Sequence, residues 1–169
     1  MVESTIVDKK SRGEVKLLIE KGKDILCIRF SDVGGYNCIR EHLELLNNIG
    51  YVWFGKIGNK PASAIIEKMQ KEQSNYILLK DARNSYICTF DCFQHHEPKI
   101  GQFPNYYLSE ILPSRLFSVW FRLTSISKII DIDILNSIVT KSSWSPFLET
   151  ARKSMASHFY TITKNDIIF

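Results

Sequence analysis

Gly50-Tyr-Val-Trp-Phe-Gly-Lys-Ile-Gly58 is the stretch whose reading decides the fold. Val52, Phe54 and Ile57 have the character of a buried sheet strand, while Tyr51 and Trp53 alternate onto the other face and put two large rings there. Gly55 leaves out a side chain between those rings and Lys56. A glycine inside a strand marks a bulge or a close approach by another backbone or a ligand. On the N-terminal side the period changes to that of a helix over residues 36–49. Ile39, Leu43 and Leu46 share a stripe there, Leu45 and Ile49 lie beside it, and Gly50 supplies the stop. On the C-terminal side Pro61 suits the first turn of a second helix. Its apolar face is Ala62, Ile65, Ile66 and Met69, with Glu67 and Lys71 spaced to pair outside.

Further out, residues 24–30 form a short apolar strand, and residues 14–19 fit either an edge strand or a short helix. Residues 76–80 and 86–93 read as a hairpin turning at 81–84. Residues 115–126 are the longest strand: Phe117, Val119, Phe121 and Leu123 alternate with Ser118, Trp120, Arg122 and Thr124. A short helix falls within 129–139. Ser143 or Ser145, with Pro146, opens a last helix whose apolar side is Phe147, Leu148, Ala151 and Met155, and residues 158–163 return as a closing strand. Strands interspersed with short helices, without strict alternation, indicate an α+β fold: a small bent mixed β-sheet closing into a partial barrel, covered by short helices. Residues 1–12, with Lys9, Lys10 and Arg12, form a polar lead-in to a single domain over 13–169.

The 169 residues are 44% hydrophobic and 12% aromatic, which excludes disorder and allows a core without disulfide or metal support. The formal charge of +4 is mildly basic and alone fits many proteins with no polyanion partner. The polar start does not resemble a signal peptide, and no apolar run approaches the roughly 18 residues of a membrane span. A cytoplasmic protein with no membrane partner is expected, its Cys27, Cys38, Cys88 and Cys92 reduced.

No Gly-x-Ser-x-Gly elbow, His-Glu-x-x-His pair or phosphate-binding glycine loop is present, so neither catalysis nor a cofactor is expected. Cys88, Cys92, His95 and His96 have zinc-ligand chemistry. On a straight strand, however, Cys88 and Cys92 share one face roughly 13 Å apart, so the reading is packed thiols and no metal. Cys38 and His42, at helical spacing, make half a site, and Asp131 and Asp133 look like capping or solvent-facing residues.

What remains is aromatic plus basic. Trp53, Trp120 and Trp144, with Tyr51 and Ser143, are the candidate base-binding pocket; Lys56, Lys60, Arg122 and Lys141 are the candidate phosphate contacts. Stacking a base on such rings is worth roughly 1–3 kcal/mol. Each ring also has a plain core reading. Trp120 departs from it by sharing the Ser118–Arg122–Thr124 face, so Trp120→Ala is expected to weaken binding and spare the fold. The alternative is a protein-interaction or inhibitory module whose exposed aromatic residues act as hot spots.

The order of elements resembles the PUA-like superfamily, which includes EVE and YTH domains. The likeness rests on Gly-Tyr-Val-Trp-Phe-Gly (50–55) after a helix, the second helix, the hairpin, Val-Trp-Phe-Arg-Leu (119–123) and Lys-Ser-Ser-Trp (141–144). It implies a domain that holds a flipped or modified base in an aromatic cage, with Trp53, Trp120 and Trp144 as walls. The implied partner is DNA or RNA, methylated or not. A fused or associated nuclease or NTPase subunit, as in modification-dependent restriction systems, is implied as well. The lysine-and-arginine pattern of the ASCH subgroup is not evident.

Overall fold

The computed structural model describes residues 18–113 and 117–169. The 1–12 lead-in and the start of the 14–19 segment lie outside the described residues. Nine strands are described: β1 Leu18–Ile19, β2 Asp24–Arg29, β3 Val52–Ile57, β4 Tyr76–Lys80, β5 Ser85–Gln94, β6 Phe117–Lys128, β7 Ile138–Thr140, β8 His158–Thr163 and β9 Ile167–Ile168. The helices are α1 Cys38–Ile49, α2 Ser63–Lys71, α3 Ile132–Asn136 and α4 Phe147–Lys153, with a π-turn at Tyr107–Ile111.

The fold is α+β. Seven strands pair in the order β3-β6-β5-β4-β2-β8-β7, and β1 pairs with β9 in a separate ribbon. Only β2 and β4 run parallel; the other paired neighbours are antiparallel. The sheet is open, because β3 and β7 do not pair with each other among the described residues.

Local signals explain much of this. The Asn37 side chain accepts from the Arg40 amide and starts α1, and Gly50 ends it in the left-handed conformation, its amide donating to Leu46 O. Asp81 Oδ1 accepts from the Arg83 and Asn84 amides and shapes the β4–β5 turn. The expected edges shift in places. Pro61 lies before the α2 cap Ala62, not in its first turn, and the observed outer ion pair is Lys68–Glu72. Of the expected apolar face only Ile66 and Met69 are buried. Pro146, not a serine, caps α4, and Met155 lies beyond that helix, exposed. Ile138 and Val139 pair with β8 as β7 instead of continuing a helix.

The long strands carry bulges that change which side chains face where. Between β3 and β6 the register passes from Lys56↔Val119 to Ile57↔Phe117, leaving Ser118 as the extra residue. A second irregularity leaves Thr124 extra on β6, and a third leaves Asp91 extra on β5. One extra residue reverses the alternation beyond it. Phe117 therefore packs with Trp120 instead of with Val119 and Phe121, and Cys92 faces away from Cys88.

Three apolar clusters result. The largest joins Leu26, Ile28, Val52, Phe54, Phe90 and Phe121 under α1 and α2. A second joins Ile25, Leu78 and Ile87 to Ile138 and Phe147. The third joins Trp53 and Trp120 to Phe103, Tyr106, Tyr107 and Ile111 from the long connection between β5 and β6. No described helix is long and apolar enough to cross a membrane.

Candidate functional site

The three expected cage walls do not come together. Trp53 is 6% exposed and Trp120 1%, both inside the third cluster, whereas Trp144 is 56% exposed and outside it. The rings of Phe103, Tyr107 and Phe117 lie 4.3–5.8 Å from that of Trp120 and leave no slot for a planar guest. Tyr51 and Trp53 take the face opposite Val52 and Phe54 as expected, but Ile57 packs with Trp53 instead of with Val52 and Phe54, and the β5–β6 connection covers that face. Trp144 sits in the turn after β7 with φ +61, its amide donating to Thr140 O. Ser143 beside it is exposed, its hydroxyl accepting from the Ser145 amide. Tyr51 is half-buried under the Arg122 guanidinium, 4.2 Å from its ring centroid.

The expected phosphate contacts also separate. Lys60 is exposed, Arg122 pairs with Asp91 at 3.7 Å, and Lys141 pairs with Asp24 at 2.9 Å. Lys56 points inward instead: it is 1% exposed, on the same side of β3 as Val52 and Phe54. Its ammonium donates to Ile57 O at 3.1 Å, Asn59 O at 2.5 Å and Ser157 Oγ at 2.9 Å. Burial lowers its pKa to about 8.

Lys56 and Ser157 both line a cavity of about 580 Å³. Ile28, Phe54, Cys38 and Tyr107 line it too, and Arg29, Lys80 and Asp81 stand at the ends of the parallel strands β2 and β4. Arg29 and Lys80 are neighbours in register. The Arg29 guanidinium donates to the carbonyls of Ala151 and Ser154 at the end of α4 and of Ala156 beyond it, and Lys80 donates to Asp81 O. Among the described residues none of these three cations makes an ion pair. The lining thus holds three cations against one carboxylate. A second cavity of about 530 Å³ contains Lys141 and Tyr160, but there Asp24 already answers the lysine.

A buried polar chain backs the first cavity. His42 Nδ1 lies 2.7 Å from Cys38 O, which can only accept, so this nitrogen carries the proton; Nε2 accepts from the Tyr107 hydroxyl at 2.6 Å. That hydroxyl in turn accepts from the Gly55 amide at 3.3 Å. At Gly55 it is a side chain that approaches, not the backbone or ligand expected of a strand glycine: a Cβ there would stand 2.3 Å from the Phe117 ring. Burial lowers the His42 pKa to about 4 and raises that of Cys38 to about 12. Cys38 and His42 are therefore a neutral thiol and a neutral imidazole, neither an ion pair nor an activated nucleophile. Among the described residues no three His, Cys, Asp or Glu side chains group as metal ligands.

Sequence reasoning singled out Lys56 for the wrong surface, and noted Cys38 and His42 without a role. It missed Ser157, Arg29 and Lys80. Periodicity carried no signal for them, because Ser157 lies 101 residues from Lys56. No family model, curated protein or solved structure matches the chain.

Proposed function

We propose that this chain is a nucleic-acid-binding module that takes one base, flipped or modified, into the cavity between β3 and the ends of β2 and β4. The observation that carries the reading is the cavity's composition: a space of about 580 Å³ walled by Phe54 and Tyr107, with Arg29, Lys56 and Lys80 unanswered by ion pairs among the described residues. Low-dielectric walls focus the field of such cations and raise the local concentration of a polyanion. Aromatic walls suit a planar heterocycle whatever its identity.

The fold reading that goes with it is a partial barrel of the PUA-like kind. Its support is the Lys56–Ser157 hydrogen bond, which joins edge strand β3 to the residue before β8, five places along the strand order. DNA or RNA, methylated or unmodified, is the proposed partner, in the cytoplasm, with a nuclease or NTPase subunit fused or associated. The reading asks only binding of the chain.

Fluorescence anisotropy with short DNA and RNA strands, carrying plain or methylated bases, tests it at low salt. Affinity should fall steeply as salt rises, and Lys80→Ala should weaken binding across sequences and flatten the salt slope by about 1. Absence of binding to every strand at low salt removes the proposal.

A second reading, a protein-interaction module, is favoured by Trp144. A large ring 56% exposed, held at φ +61, has the character of an anchor for a partner's pocket. A nuclease-resistant complex lost on Trp144→Ala would select it.

A further inference from the structure

Lys56 and Ser157 hold a second capability that lies beyond binding. Of the three partners of Lys56 Nζ, Ile57 O and Asn59 O can only accept, while the Ser157 hydroxyl can also donate. An ammonium donates to all three. An amine that has lost one proton still donates to both carbonyls and turns its lone pair to the serine hydroxyl. The site therefore accommodates both protonation states with every partner satisfied, and in the neutral state the lysine is placed to take the serine proton.

We propose that Lys56 and Ser157 form a serine–lysine dyad that hydrolyses carboxylic esters admitted to the cavity. Ser157 Oγ bonds to the ester carbonyl carbon as its proton passes to Lys56 Nζ. The ammonium so formed stands against the tetrahedral oxyanion and then gives the proton to the leaving alcohol oxygen as the carbon–oxygen bond breaks. Water repeats the sequence on the acyl-serine: its proton goes to Lys56, its oxygen bonds the carbonyl carbon, and Ser157 Oγ leaves with the proton returned. One ester and one water become one acid and one alcohol.

Other observations fit this chemistry. Gly58 has φ +91, and a Cβ there would lie 3.3 Å from Ser157 Oγ, so no side chain crowds the hydroxyl from that direction. Among the described residues Lys56 meets no carboxylate that would hold its proton; its charged surroundings are Arg29, Lys80 and Asp81 on the cavity, with His158 adjacent. Burial, together with the Lys56 charge, keeps His158 below its ordinary pKa. A lysine pKa of about 8 leaves roughly a tenth of the molecules with a neutral amine at neutral pH. Arg29 and Lys80 favour esters whose distal end carries a phosphate or carboxylate.

The test is covalent capture by a fluorophosphonate, which phosphonylates an activated serine with loss of fluoride. Intact mass should rise by one adduct, peptide mapping should place it on Ser157, and Ser157→Ala should abolish it. The labelling rate should climb through pH 8 as Lys56 loses its proton. Lys56→Arg keeps the charge but cannot act as base, and should slow labelling about 10²–10⁴-fold. An adduct on another residue, labelling of Ser157 that is flat between pH 6 and 9, or no adduct under conditions that label a control serine hydrolase would each overturn the dyad. The assay contains no polyanion, so its failure is separate from failure of the nucleic-acid reading, which uses the same cavity.

Discussion

The two faces of β3 end in opposite environments. Trp53 projects into a sealed aromatic cluster, where Trp120 is 1% exposed and rings close around it. Phe54 and Lys56, its alternates, project to the side that keeps a cavity, a hydrogen-bonded ammonium and a serine hydroxyl. The difference lies in what covers each face. Residues from the β5–β6 connection fill one with apolar rings, whereas the other meets the ends of β2 and β4 and the residue before β8, which bring polar groups. A strand's own alternation tells its faces apart but not which of them will be filled.

Removing the ring from the sealed face is the strongest way to break this contrast. Trp120→Ala should destabilise the protein by about 3–5 kcal/mol, because the surrounding rings cannot collapse into the space; chemical denaturation measures it. This reverses the expectation that the fold would be spared, and a small effect would mean that the cluster is loosely packed.

A pH titration of stability sharpens the contrast from the cavity side. His42 has its pKa lowered from 6.5 to about 4 in the folded state. Unfolded chains thus bind a proton that the native state refuses, and stability present above pH 6.5 is lost as pH falls toward 4. The loss approaches about 3 kcal/mol. Denaturant midpoints between pH 7 and 4 should show it, and His42→Leu should remove that part of the pH dependence.

The smallest effect belongs to the ring outside both regions. Trp144 occupies φ +61, a conformation natural to glycine. Trp144→Gly should leave the melting temperature unchanged or raise stability by up to about 1 kcal/mol, since relief of the backbone offsets the lost contacts.

Much of the architecture was legible. Gly50 ended α1 as its position indicated, and the β4–β5 hairpin turned at Asp81. Each is a local signal, carried by residues a few positions apart. Lys56 turned inward to acceptors on Ile57, Asn59 and, across the sheet, Ser157. Two other failures share a cause: Phe117 changed sides because Ser118 is a bulge, and Cys92 parted from Cys88 because Asp91 is another. A single extra residue in a register leaves no trace in the pattern of hydrophobic residues.

By itself the sequence determined most of the element types, though not β7, together with the α+β class and the aromatic wealth of β3, because periodicity and capping act over one or two turns of chain. Only the tertiary structure decided which rings are sealed, which cations lack an acidic partner and which hydroxyl meets Lys56. Those outcomes depend on contacts across as many as 127 positions, and burial, which sets both proton affinity and access, is a property of the packed whole.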